Sequence, residues 1–224
     1  MCNPNGIIFG VMNLTKGDVR GKKIIEIGSY NVNGSLRPII ESWKPAKYIG
    51  VDIAKGLGVD IVCGAEEITK KFGKKSFDIV ISTELLEHVR DWKKVVSNIK
   101  NICKPGGTIL ITTRSCGFVY HPYPDDFWRF ETKDMIKIFS DCEIKKLEKD
   151  KPDPGVFIKI KKPNKFAENN LSNYRLYSII TKKRVKKIDE KSLRDFRKMY
   201  FRKEKIRALI FQIGKIIFPK PYRY

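Results

Sequence analysis

The apolar residues of this chain come in short runs parted by polar turns, and the runs alternate between two periods. Ile24, Ile25 and Ile27 follow Lys22 and Lys23 as a β-branched run, the pattern of a strand covered on both faces. Gly28 permits a turn that a side chain would block, and Ser35 stands where an N-cap would start a helix. Leu36, Ile39, Ile40 and Trp43 then share one helical face, with Pro38 tolerable in the first turn. Further strands are predicted at Tyr48–Ile53, Val59–Cys63, Phe77–Ser82 and Thr108–Thr113. Between the last two, Asp91 precedes Trp92, Val95, Val96, Ile99 and Ile102, an amphipathic helix broken by Lys104-Pro105-Gly106-Gly107. Thr132–Ser140 reads as a helix, and Cys142–Leu147 and Val156–Ile160 flank a Pro-Gly turn as a hairpin. Ahead of all this, Ile7, Ile8, Val11, Met12 and Leu14 have helix-like spacing, so residues 1–20 are expected to hold a covering helix. Strand–helix alternation closing on an antiparallel pair predicts an α/β fold.

After Lys161-Lys162-Pro163-Asn164 the pattern changes. Residues 21–162 therefore read as the sheet domain and 163–224 as a helical tail. Ser192-Leu193-Arg194-Asp195 resembles a helix start, with Ser192 as cap. Leu193, Phe196 and Tyr200 form one apolar stripe; Ile206, Leu209, Ile210, Ile213 and Ile217 form a second, with Lys and Arg on the other face. Phe218–Tyr224 would close the helix with interfacial aromatics.

Charge sharpens that division. The net +21 is split between 26 Lys and Arg against 20 Asp and Glu in residues 1–160, and 20 against 5 in residues 161–224. So basic a tail points to an anionic partner. Three uses stay open: packing the stripe on the body or on a second subunit as a homodimer, lying on an anionic membrane surface, or binding nucleic acid. The clustered aliphatics argue against the last. Hydrophobic residues at 42 % supply a full core and argue against global disorder. No apolar run approaches the roughly 18 residues of a membrane span. The first residues lack a signal-peptide pattern. Five scattered cysteines without a C-x-x-C pair favour reduced thiols. The expected location is the cytoplasm, with peripheral attachment at the inner membrane surface through the tail kept open.

The chemistry begins at the first strand. A strand, a glycine turn and a helix start aim backbone N–H groups and the positive end of a helix at a ligand. Asp52 lies 24 residues after Gly28, close to the roughly 20 expected of a ribose-binding acid. The G-x-G-x-x-G pattern of a pyrophosphate cradle is absent, which speaks against a dinucleotide. Taken together, Glu26-Ile27-Gly28, Tyr48–Asp52, Phe77–Ser82, Leu86-Glu87-His88-Val89 and Lys104–Thr108 resemble the class I S-adenosylmethionine-dependent methyltransferases over residues 20–162. Within that class the chain looks like a methyltransferase-domain group often associated with surface-glycan gene sets. The segment Tyr120–Phe130 is similar to that group's substrate-side loop.

The resemblance implies a Rossmann-like, seven-stranded, mostly parallel sheet whose last strand is antiparallel, and S-adenosylmethionine as cofactor. It implies that Glu26 and Gly28, with Ser29 and Tyr30, frame the methionine end. Asp52 would accept from the ribose hydroxyls and Ile53 would flank the adenine, with Ala65 and Glu66 near its amine. Ser82 and Thr83 would border the sulfonium. Tyr30 and Val32 stand where the family has glycines, so side chains of Ser29 and Tyr30 are expected to replace backbone contacts.

The two histidines are His88 and His121. Glu84, Glu87 and His88 share a face if that stretch is helical. The family fold sets His121 above the same end of the sheet. Three readings stay open: a structural His88; His88 or His121 as general base; or a divalent metal held by Glu84, Glu87, His88 and His121. The last is similar to the E-x-x-E-H site of small-RNA 2′-O-methyltransferases and some quinone-pathway O-methyltransferases. Tyr120, Tyr123, Phe127, Trp128 and Arg129 are expected to line an acceptor pocket, stacking on a ring while Arg129 meets an anion. Their plainer use is packing over the sheet edge. The combined reading is methyl transfer to an oxygen or nitrogen of a small molecule, glycan or carrier-linked sugar. RNA 2′-O-methylation and a non-catalytic cofactor-binding module are the alternatives.

Overall fold

The computed structural model describes residues 3–217, with side chains to residue 211. The expected aromatic close at Phe218–Tyr224 lies outside the described residues. Helix α1 (Pro4–Asn13) opens where Asn3 Oδ1 accepts the Gly6 N–H at 2.7 Å, with proline in the first turn, where its missing N–H costs nothing. The one-turn α2 (Lys16–Val19) is closed by a Thr15–Asp18 capping box. Strand β1 (Lys23–Ile27) is buried from Ile24 onward. Helix α3 (Arg37–Ser42) starts with Leu36, not Ser35, as its N-cap; Ser35 Oγ accepts the Arg37 N–H at 3.0 Å instead.

Next come β2 (Lys47–Asp52), β3 (Ile61–Val62), α4 (Ile68–Phe72) and β4 (Phe77–Thr83). In α5 (Trp92–Ile102), Asp91 Oδ1 accepts the Lys94 N–H, and Trp92, Val95, Val96, Ile99 and Ile102 are all buried. Each such side chain contributes about 1.5–3 kcal/mol relative to exposure. After it lie β5 (Cys103–Arg114), β6 (Trp128–Arg129), α6 (Thr132–Ile138), β7 (Glu143–Asp150) and β8 (Gly155–Lys161). The chain continues through β9 (Leu176–Ser178), β10 (Lys183–Val185) and α7 (Glu190–Ile217).

The main sheet has the order β3-β2-β1-β4-β5-β8-β7. The first five strands are parallel, and β8 runs antiparallel to both β5 and β7. This is the seven-stranded sheet with an antiparallel last strand that the sequence implies. Phe9, Leu14, Leu36 and Ile40 from the α1 and α3 regions form one core layer with Ile24, Ile79, Ile81, Leu110 and Phe157 of the sheet. Helix α5 packs on β4 and β5.

The expected boundary after Lys162 is not where the chain divides. One compact unit runs to Lys186 and a second begins at Lys187. Lys162 is buried and donates to Lys100 O and Cys103 O, and Asn169 bonds Lys100, Asp141 and the end of α6. Strand β9 pairs with β6 in a second, three-stranded sheet. In the second unit the α7 cap is Asp189, whose Oδ1 accepts the Ser192 N–H at 2.8 Å; Ser192 itself is inside the helix. Among the described residues no helix is long and apolar enough to cross a membrane. Cys63, Cys103, Cys116 and Cys142 are free thiols.

Candidate active site

A cavity of about 800 Å³ opens at the carboxyl ends of β1, β2 and β4, the place where open α/β sheets bind ligands. Gly28 ends β1 with φ +82°, and a Cβ there would press on Leu85 at 3.1 Å. Its N–H and that of Ser29 both donate to Val51 O, which ties the turn to β2. Asp52 closes β2. Its Oδ2 accepts the Tyr30 N–H at 3.1 Å and its Oδ1 accepts the Ala54 N–H at 3.2 Å, so the carboxylate is fixed by the loops on either side. Gly28, Tyr30, Asp52, Ile53, Ala65 and Glu66 all line the cavity.

The loop lacks the family's usual glycines, and the structure shows where they went. Its close approach is provided from the opposite side, by Gly50, Gly56 and Gly58. A Cβ on Gly56 would fall 2.3 Å from the Tyr30 ring, one on Gly58 2.7 Å from Ser29 O, and one on Gly50 2.0 Å from Gly58 O. Sequence reasoning missed these three; the signal was Lys55-Gly56-Leu57-Gly58 directly after the Asp52 strand.

Other expected cofactor residues lie beneath the cavity and not in its wall. Glu26 is buried and accepts the Tyr48 hydroxyl at 2.8 Å. Burial pushes its carboxyl up to about 7, against the opposing pull of that hydrogen bond. Ser29, Ser82 and Thr83 are likewise buried and absent from the lining.

The Glu84-x-x-Glu87-His88 stretch is not one helical face. Glu84 has φ +52°, a left-handed conformation, and only Leu86–His88 form a 3₁₀ turn. Glu84 pairs with Arg114 and lines the cavity. Burial first, then the adjacent Glu87 charge, pushes its carboxyl up to about 8, with Arg114 opposing. This removes Glu84 from the expected metal set. The remaining three do meet: one ligand atom each from Glu87, His88 and His121 lie within 4.8 Å of one another.

Hydrogen-bond partners decide which ring nitrogen carries a proton. His88 Nδ1 sits 2.6 Å from Asp125 O, and His121 Nδ1 sits 2.9 Å from Asp126 Oδ2 and 3.2 Å from Val119 O. Carbonyl and carboxylate oxygens only accept, so each Nδ1 carries a proton, which leaves Nε2 of each ring for the cluster, about 4 Å from Glu87 Oε1. The other oxygen of Glu87, Oε2, takes the Thr113 hydroxyl at 2.8 Å. Glu87 Oε1 and His88 Nε2 are buried and without a hydrogen-bond partner. Glu87 Oε1 and two imidazole nitrogens thus converge, a set that suits a shared proton or a divalent cation.

The loop after β5 divides in its roles. Tyr123 and Phe127, with Pro122 and Pro124, join Leu85 and Val89 in the apolar part of the cavity lining. Trp128 and Arg129 correct the expectation of acceptor contact, because both are 1 % exposed. Trp128 Nε1 donates to Val89 O and Arg90 O. The Arg129 guanidinium is filled by Asp126, Phe118 O, Val119 O and Trp128 O, which leaves it no donor for a ligand. Burial works against the Asp126 charge, but the bonds from Arg129 and His121 outweigh it and hold its pKa low. Tyr120 is not in the cavity lining. A second cavity, about 600 Å³ and lined by lysines with Asp18 and Asp78, holds none of these residues.

Comparison with known proteins agrees with this geometry. A family model described as a methyltransferase domain matches residues 10–149. The chain is 32 % identical over 124 residues to a ubiquinone biosynthesis O-methyltransferase of Idiomarina loihiensis, covering 50 % of this chain and 49 % of that one. The chain thus spans about half the length of the curated relatives it matches. A solved S-adenosylmethionine-dependent methyltransferase from Mesorhizobium loti superposes with a TM-score of 0.53 at 12 % identity, over 65 % of this chain and 93 % of the other. The 1,6-didemethyltoxoflavin-N1-methyltransferase of Burkholderia thailandensis, solved with bound S-adenosylhomocysteine, gives 0.53 at 11 %, over 64 % and 72 %. Both are likenesses of fold.

Proposed function

The chain belongs to the methyltransferase-domain family and carries an S-adenosylmethionine-dependent domain; from that premise we propose that it methylates a hydroxyl on a flat, largely apolar ring. The observation that carries this reading is a buried acceptor nitrogen without a partner, His88 Nε2, on a residue that lines an otherwise mostly apolar wall. Methyl transfer to a hydroxyl forms an O–CH₃ bond, breaks the S–CH₃ bond and releases the hydroxyl proton. His88 Nε2 receives that proton. Its other nitrogen is held by Asp125 O, so the ring need not move to do so. Leu85, Tyr123 and Phe127 sandwich the ring and keep water from the sulfonium. A ring stacked on Leu85, Val89 and Phe127 suits that side of the lining better than a sugar, whose hydroxyls need partners that these three do not supply. The name of the matched relatives, ubiquinone biosynthesis O-methyltransferase, points the same way.

The cluster supports a second form of the reading, in which Glu87, His88 and His121 hold a divalent cation. Such a cation, when bound, would lower the pKa of the acceptor hydroxyl. Methyl transfer from labelled cofactor to a catechol-type acceptor, a glycolipid fraction and RNA tests the acceptor class. His88→Gln should cut kcat for the catechol by about 100-fold or more with cofactor affinity unchanged. Equal turnover by H88Q, or transfer to the glycan alone, would sink the reading. Turnover unaffected by a chelator would retain the base and remove the cation.

A further inference from the structure

The unit that starts at Lys187 lies beyond residues 10–149 of the family match. Helix α7 changes character along its length. Leu193 and Phe196 are buried, whereas Phe201, Ile206, Leu209, Ile210 and Phe211 are 47–65 % exposed. Ile206, Leu209 and Ile210 stand at i, i+3 and i+4, one stripe on the helix. The same helix carries nine Lys and Arg against three Asp and Glu. Glu204 is already paired with Arg207, which leaves the surplus positive.

Charge decides what covers that stripe. A second copy of the helix would bring nine cations against nine, a repulsive pairing. A polynucleotide would satisfy the cations and leave Ile206, Leu209 and Ile210 in water. A bilayer with anionic headgroups satisfies both, because the aliphatics enter the acyl boundary while the long basic side chains reach the phosphates. We propose that the exposed face of α7 docks the enzyme on an anionic lipid bilayer, lying in the interface and not crossing it. This rests on the helix alone and holds whichever acceptor the active site takes.

The test is flotation of the full chain with vesicles of phosphatidylcholine alone and of phosphatidylcholine mixed equally with phosphatidylglycerol. Flotation is expected with the mixed vesicles only, weakening as salt rises. The triple variant I206E/L209E/I210E should lose at least tenfold in vesicle affinity. Each charge removed in R202Q/K203Q/K205Q should cost roughly fivefold. Unchanged S-adenosylmethionine affinity in both variants shows that the domain is intact. Equal flotation on phosphatidylcholine, or full binding by the triple variant, overturns the proposal. So does a lipid-independent dimer that the triple variant dissociates, or retention on RNA without flotation.

Discussion

Arg129 decides between two uses of an arginine in a substrate-side loop, and Arg129→Met separates them. The side chain is 1 % exposed and makes a two-point contact with Asp126, with further donations to Phe118 O, Val119 O and Trp128 O. Removing it leaves the Asp126 carboxylate buried against only His121, whose backbone N–H and Nδ1 are 3.0 and 2.9 Å away. Breaking a buried pair by deleting one partner costs about 3–5 kcal/mol. For a chain of this size each kcal/mol moves the melting temperature by about 2–4 °C, so a fall of roughly 6–20 °C is expected. The double variant Asp126→Asn, Arg129→Met leaves no uncompensated charge. It should recover part of the loss, though not all, because three carbonyls still lack their donor. Thermal unfolding by circular dichroism, with the acceptor KM measured on the folded fraction, reads both. A wild-type melting temperature in R129M together with a raised acceptor KM would refute the structural assignment.

Three further outcomes follow from the same structure. Asp52→Ala removes a carboxylate that lines the cavity and is held by two backbone N–H groups; calorimetry should show S-adenosylmethionine affinity reduced by about 100-fold, the loss of two charge-assisted hydrogen bonds at about 1.5 kcal/mol each, and an unchanged affinity would count against the ribose role. Glu26 has its carboxyl raised to about 7 by burial; the unfolded chain ionises first, so stability falls as pH rises from about 4.5 to about 7, by at most about 3 kcal/mol, and urea titrations should find that slope reduced in Glu26→Gln. Gly50→Ala places a methyl 2.0 Å from Gly58 O; both partners are backbone, so the loops must part, costing about 3 kcal/mol or more and weakening cofactor binding in the folded fraction.

The sheet was legible in the chain because its information is local. Each β-branched run, its turn glycine and the following apolar helix stripe announce one strand–helix unit, and Asp52 ends the second such strand as the spacing implies. The tail boundary was not legible. Residues 163–186 read as the start of the basic tail, yet β9 is completed by β6, about fifty residues earlier, and Leu176 and Ser178 are fully buried. Pairings of that range leave no local pattern in either partner. The loop glycines were obscured in the same way. The close approach required at Ser29 and Tyr30 is met by Gly56 and Gly58 across the crevice, so the missing residues are found in a different segment.

The acceptor side failed for a sharper reason. Spacing of i, i+3 and i+4 puts Glu84, Glu87 and His88 together only if every residue between is helical, and Glu84 itself breaks that premise. A left-handed glutamate costs about 1–3 kcal/mol, which the Arg114 ion pair helps to offset. The consequence is chemical. Turning Glu84 out of line points it at the cavity, where burial keeps its carboxyl high, and leaves Glu87 to His88 and His121. One backbone angle thereby separates two carboxylates that the sequence presents as a pair. Glu84 lines the cavity, and Glu87 clusters with the two imidazoles. Glu87 Oε1 and His88 Nε2, buried without partners beside the cavity, are better accommodated when a proton or a cation lies between them. The proposed transfer of a hydroxyl proton would meet that requirement.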